Sequence, residues 1–300
     1  MSERALVTGG GGFAGRHLLR LLPGAAAPGH AELDLLDGAA VREAVRAAAP
    51  ERIFHLAALP SVKRSWDAPV PTLMQNLQMT ANLLEAVRLE APEARVLAVS
   101  SGEVYGPPER LPVDERAALR PQNPYAVSKA AGDLLAGQYA DAFGLHVVRV
   151  RPFNHAGPGQ SDDYVVGTLT RQVAEAEARG VDEVVVRTGN PDSARDLTDV
   201  RDVVRAYVEA PDLEPGAWNV ASGRAASVRD LLELLRPATP VAIRHEVDQA
   251  RLRAHDVPEI RGSAERLRAA TGWRPEIPLE RTVADALAAW RERIGAERAS

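Results

Sequence analysis

The chain has 300 residues, 45% of them hydrophobic and 26% charged, with a formal net charge of −5. That is enough for one large α/β domain or two linked ones, and it argues against nucleic acid or an anionic membrane as the main partner. Cysteine is absent, which excludes a disulfide framework, thiolate chemistry and a Cys-rich zinc site. The start has no signal-peptide layout and no apolar run approaches a membrane span, so a soluble cytoplasmic protein is expected.

Strand and helix patterns alternate from the beginning. Residues 4–8 (RALVT) read as a buried strand, and glycines and an amphipathic helix over 12–22 follow. A helix over 41–49, a strand over 52–58, a long helix over 70–90 and a strand over 94–99 come next. A helix over 124–143 and a strand over 146–150 close the first half. This is the rhythm of a doubly wound parallel α/β sheet of the Rossmann type. After Pro152 the pattern loosens: a helix over 163–178, a strand over 183–187, a polar stretch, a helix over 199–210 and an extended segment over 217–220. Helices over 227–236, 263–271 and 279–294 complete the chain. The expected organisation is a dinucleotide-binding domain over 1–157 and a smaller C-terminal substrate domain over 158–300, with 195–220 returning to the first.

The first chemical signal is TGGGGFAG, with Gly9, Gly12 and Gly15 spaced three apart between a strand and a helix. Glycine permits a tight turn and close approach of backbone to pyrophosphate, and the helix N-terminus offers free N–H groups to the anion. An acid about 20 residues on would read the adenosine ribose, and Asp34 and Asp37 lie near that distance. The stretch from Pro23 to Leu33 is too short for an ordinary strand, helix and second strand, so the second βα unit is expected to be compressed. Asp34 then falls near the adenine, and Asp37 is equally suited to be a helix N-cap. NAD(H) and NADP(H) both remain open.

The second signal is Tyr125 and Lys129, four apart on a helix and therefore on one face. An ammonium near a phenol favours phenolate and lowers its pKa, which suits proton exchange with a sugar hydroxyl or carbonyl. Only Lys63 and Lys129 are lysine among 36 basic residues, which suggests a task that guanidinium cannot perform. Ser101 ends a strand, where α/β sites gather, and can bond the same reacting oxygen. No metal-ligand cluster is visible.

TGGGGFAG, HLAA, VSSGEVYG, PYAVSK and RPFNHAGPG, in this order and spacing, resemble the extended short-chain dehydrogenase/reductases that act on nucleotide sugars. The resemblance runs to TGWRPEIPLE near the C-terminus. It implies that Ser101, Tyr125 and Lys129 are catalytic, with Glu103 beside them as the carboxylate that dehydratases use as a base. It places Gly9, Gly12, Phe13, Ala14 and Gly15 at the pyrophosphate, Asp34 and Leu35 near the adenine, and Leu56, Ala57 and Ala58 along the cofactor. FNHAGPGQ, RDLTDVRDVVRAY and the C-terminal segment imply reduction of the C4 ketone of a GDP-4-keto-6-deoxyhexose. Dehydration or epimerisation with a recycled cofactor is the alternative, and a non-catalytic dinucleotide sensor a third.

On the substrate side, arginine's fork matches diphosphate oxygens. Arg195 is the leading candidate, and Arg171 and Arg253 follow. Asn154, after a strand, is expected to face the cleft, and Ser65 and Lys63 lie in a loop suited to sugar contacts. His155 is either a ligand or a structural histidine. The apolar stripes of the helices over 70–90 and 124–143 fit either the parent sheet or a second subunit, as in a homodimer.

Overall fold

The computed structural model describes residues 4–251 and 257–299. The first half runs β1 (Ala5–Thr8), α1 (Phe13–Leu21), α2 (Gly38–Ala48), β2 (Arg52–His55), α3 (Val62–Asp67), α4 (Pro69–Glu90), β3 (Arg95–Val99), α5 (Pro124–Phe143), β4 (Val147–Pro152) and β5 (Asn154–Ala156). The second half runs α6 (Val165–Arg179), β6 (Glu183–Thr188), β7 (Ala194–Asp199), α7 (Val200–Glu209), β8 (Gly216–Val220), β9 (Ala225–Ser227), α8 (Val228–Leu235), β10 (Ala242–Val247), β11 (Glu259–Ile260), α9 (Glu265–Thr271) and α10 (Leu279–Ala299).

Five strands form a parallel sheet in the order β1-β2-β3-β4-β8. Successive strand residues point to opposite faces, so near-continuous apolar runs feed two cores at once. Leu6, Ile53, Val96 and Val147 pack on one face with Val41, Leu83, Val87 and Ala136 of α2, α4 and α5. Their neighbours Val7, Phe54, Leu97 and Val148 pack on the other face with Leu18 of α1 and Val203, Val204 and Tyr207 of α7. Beyond β1 the sheet continues only as a one-residue bridge, Leu6 to Ala26, held by Val7 N–H to Ala26 O (2.7 Å) and Ala26 N–H to Ala5 O (2.8 Å). The second βα unit is thus reduced to one paired residue and a loop leading to α2.

The second half builds its own apolar core from α6, β6, α8, β10 and α10, with Leu169, Val186, Leu235, Ile243 and Leu287 among its buried members. β6 pairs with β10. The end of TGNPDSARD, expected as a polar stretch, instead opens strand β7, which pairs with β5, β9 and β11. It is buried despite its charge because Asp196 accepts from Ser222 N–H and Oγ–H, Gly223 N–H and Gly262 N–H. Of the stretch expected to return to the first domain, β8 joins the main sheet and α7 packs beside α1, while β7 stays with β5, β9 and β11. Among the described residues no helix is long and apolar enough to cross a membrane.

Leu97 sits fully buried in the middle of the sheet. Leu97→Ala is expected to cost about 2–5 kcal/mol, measurable as a lower midpoint in urea unfolding with an unchanged m-value.

Candidate active site

All the chemistry-bearing loops leave the carboxyl ends of the parallel strands, where open α/β sheets bind ligands. Gly9 follows β1, Ala57 and Ala58 follow β2, Ser101 follows β3 and Asn154 follows β4.

Gly9 has φ +76, and a Cβ there would stand 2.6 Å from the Ala57 nitrogen. A Cβ on Gly15 would stand 2.2 Å from Gly9 O. The turn and the first coil of α1 are therefore pressed together in a way only glycine allows. Gly12 caps α1 without any side-chain cap, and the first turn holds no acid. The first N–H groups of α1 are left to an anion. Gly11 faces open space. This cradle fits a dinucleotide pyrophosphate on the structure's own terms.

The outer wall is less conventional. From Ala26 to Gly29 there is no acid, and the Glu32 carboxylate turns back to accept Gly29 N–H (2.7 Å). Asp34 is exposed and accepts Leu36 N–H (2.9 Å), while Leu35 is buried. Asp37 is the N-cap of α2, accepting Ala39 and Ala40 N–H. Phe13 stacks on His155 at 5.8 Å between centroids, and His17 hydrogen-bonds Pro158 O (2.9 Å). α1 therefore grips β5 and the turn after it, and His155 sits half-buried among structural partners, its pKa lowered by desolvation.

Tyr125 and Lys129 occupy the first turns of α5, whose N-cap is Asn123. Asn123 Oδ1 accepts Ala126 N–H (2.8 Å), and its amide donates to Glu103 Oε2 (3.2 Å). That one residue fixes both the start of the helix and the carboxylate beside it. The Ser101 side chain accepts Glu103 N–H (3.2 Å) and lies close enough to Tyr125 to act on its phenol.

Burial pushes the Tyr125 phenol above its ordinary range, with Tyr164 and Glu103 adding to the rise and Ser101 opposing it. The sequence-based expectation of a phenol made more acidic by Lys129 is not met, because desolvation of phenolate dominates. Lys129 is itself drawn down to about 8 by burial, and the Asp133 carboxylate opposes that shift.

Behind Lys129 lies a cavity of about 20 Å³ lined by His55, Asn76, Thr80, Ser100, Ser128 and Asp133 among others, room for about one water. His55 bridges Thr8 Oγ1 (2.8 Å) and Thr80 Oγ1 (3.2 Å), tying β1 to α4. Asn76 donates to Ser128 Oγ (2.8 Å) and accepts Leu59 N–H (2.7 Å). Sequence reasoning passed over His55, Asn76, Asp133 and Tyr164. Only Asp133 carried a usable signal, its spacing four residues beyond Lys129.

The expected substrate residues are dispersed. Asn154 is exposed at the start of β5. Ser65 is buried and donates to Val62 O (2.7 Å) within α3. Arg171 is paired with Asp162 and Glu175. Arg195 donates to the Ala194 and Val257 carbonyls (2.9 Å each). Arg253 lies outside the described residues. Among the described residues no group of three or more acidic or histidine side chains could hold a metal ion.

The chain is similar to several known proteins. The family model described as GDP-mannose 4,6 dehydratase matches residues 26–286. A GDP-6-deoxy-D-mannose reductase of Pseudomonas aeruginosa is 37% identical over 306 residues, covering 99% of this chain and 100% of that protein. A UDP-glucose 4-epimerase of Mycolicibacterium smegmatis is 32% identical over 81% of this chain and 77% of its own length. Among solved structures, RMD from Pseudomonas aeruginosa complexed with NADPH superposes with a TM-score of 0.89 at 35% identity, covering 97% of this chain and 99% of that one. A Thermus thermophilus UDP-glucose 4-epimerase in complex with NAD gives 0.83 at 30% identity, covering 96% and 99%.

His55 generates a prediction about acid stability. Burial, with Lys129 nearby, lowers its pKa to about 3, below the value of an unfolded chain. The unfolded state therefore takes up the proton first, and stability is lost as pH falls from about 6.5 towards 3, by up to about 1.4 kcal/mol per pH unit. Between pH 7 and pH 5, His55→Gln should lose about 2 kcal/mol less than the parent chain, as read from urea midpoints at the two pH values.

Proposed function

We propose, for a chain that belongs to the GDP-mannose 4,6-dehydratase family, that it reduces the C4 ketone of a GDP-4-keto-6-deoxyhexose to give GDP-D-rhamnose, using NADPH or NADH. The observation that carries this reading is the half-buried Tyr125 in the first turn of α5, beside Ser101, with Lys129 one helical turn on. Support comes from the P. aeruginosa reductase, matched from end to end.

When bound, the reduced nicotinamide supplies the hydride. The residues here do the rest. Tyr125, held protonated by burial, gives its proton to the oxygen of the former ketone. Ser101 orients that oxygen by hydrogen bonding. Lys129 would hold the nicotinamide ribose and would offer a cation to balance the charge left on Tyr125. The glycine cradle takes the pyrophosphate through Gly9, Gly12, Phe13, Ala14 and Gly15, and Leu56, Ala57 and Ala58 line the way to the nicotinamide. Residues 26–29 carry no acid of their own, and the Glu32 carboxylate beside them is engaged by Gly29 N–H, so the wall accommodates either NADPH or NADH.

Residues 1–157 carry the dinucleotide and 158–300 the nucleotide sugar, with Asn154 and Arg195 facing the substrate phosphates or sugar. Glu103, held beside Tyr125 by Asn123, supports 4,6-dehydration as a second reading. The two are separated by net consumption of NAD(P)H. The functional unit is a homodimer built on α4 and α5, because Val70, Met74, Val127 and Leu134 leave an apolar surface on these two helices, and like surfaces pair about a two-fold axis.

With GDP-4-keto-6-deoxymannose and NADPH, absorbance should fall in proportion to product formed. Tyr125→Phe should lower turnover about 100-fold or more with intact folding and cofactor binding. Stable NADPH absorbance during substrate conversion would reject the reductase reading. Met74→Glu combined with Leu134→Glu should convert a dimer to a monomer by light scattering.

A further inference from the structure

The cavity behind Lys129 holds a carboxylate that the proposed chemistry does not use. Asp133 follows Lys129 by four residues on α5 and so lies on the same helix face. Its side chain is fully buried. Both residues line the same small cavity. Asp133 Oδ2 accepts from Arg151 Nε (2.8 Å), and Oδ1 accepts from Arg151 Nη2 (2.9 Å) and Arg149 Nη1 (3.1 Å). Arg151 is held in turn by the Tyr105 hydroxyl (3.0 Å), which donates to Asn219 Oδ1 (2.7 Å). Ser100 donates to the Lys129 carbonyl (3.4 Å) and lines the same cavity as Asp133.

We propose that Asp133 is a positioning residue whose carboxylate, aimed by Arg149 and Arg151, keeps the half-buried Lys129 amine in its ammonium form. A buried amine sheds its proton unless a counter-charge is fixed close by. Every other group facing Lys129 fails to supply one. From β2 comes His55, which is neutral; from α4 come Asn76 and Thr80; from the end of β3 comes Ser100. On α5 itself the remaining titratable neighbour is Tyr125, a protonated phenol with Glu103 beyond it. On β4, behind the carboxylate, Arg149 and Arg151 carry positive charge that works against Lys129. Among the described residues Asp133 is therefore the one negative charge in the shell, and the strength of its effect is set by how firmly the two guanidiniums claim it.

The inference concerns the enzyme reading above but can be tested without turnover, because the chain has only Lys63 and Lys129. In a Lys63→Arg background, isotope-labelled lysine gives one side-chain NMR signal, whose pH titration reports Lys129 directly. The parent midpoint is expected near 8. Asp133→Asn should lower it by about one pH unit, and Asp133→Glu should restore it. Arg149→Met removes an opposing cation and frees a carboxylate oxygen, so it should raise the midpoint. A purely structural role moves stability and leaves these midpoints in place. An unchanged midpoint in folded Asp133→Asn overturns the proposal; if that variant does not fold, Arg149→Met decides, and an unchanged or lowered midpoint there overturns it. The alkaline limb of kcat/KM should follow the NMR midpoint. If the midpoint moves and the limb does not, the assignment of Lys129 to the chemistry fails while the role of Asp133 stands.

Discussion

An amine taken out of water must be answered by a fixed charge or it gives up its proton, and much of this molecule is arranged around that demand. Lys129 sits at the carboxyl ends of β2 and β3, enclosed by His55, Ser100 and Ser128. Its answer, Asp133, is itself a buried charge and needs its own partners, which β4 supplies as Arg149 and Arg151. Arg151 reaches on through Tyr105 to Asn219 on β8. One titratable group in the site thus recruits side chains from helix α5 and from two neighbouring strands. Such networks are useful only when complete, since removing one member leaves a charge stranded in a low-dielectric interior.

The same economy governs the backbone. The glycine turn works because Gly9 and Gly15 have no Cβ to separate β1 from α1 and from the Ala57 peptide. Once α1 lies that close, its uncapped first turn points outward while Phe13 and His17 hold β5 and the turn after it. The glycine turn and α1 are consequently packed as one unit with β5, the strand that carries Asn154, and with the turn after it.

Much of this was legible in the sequence. The long helices over 70–90 and 124–143 are observed at 69–90 and 124–143, because Pro in the first turn marks the start of each. The compressed second βα unit could be read by counting residues between Pro23 and Leu33. The second half was harder to read. β7 carries Arg195, Asp196 and Asp199 and looks like a loop until Ser222, Gly223 and Gly262 arrive from far along the chain to satisfy Asp196. The direction of the Tyr125 shift was also out of reach, since spacing shows which groups are near but not how much water is excluded. His55 read as one more strand residue, and only the fold brings Thr8 and Thr80 to its two nitrogens.

The one-residue bridge at Ala26 has a further result. A sheet normally ends in an exposed row of N–H and C=O groups that can recruit another chain. Here the terminal row is a single bridged residue, with Pro23 and Pro28 on either side. Proline cannot donate to a ladder. The molecule therefore offers almost no template for intermolecular strand addition beside β1, and the shortening that trimmed the adenosine wall also protects the fold against aggregation along that side.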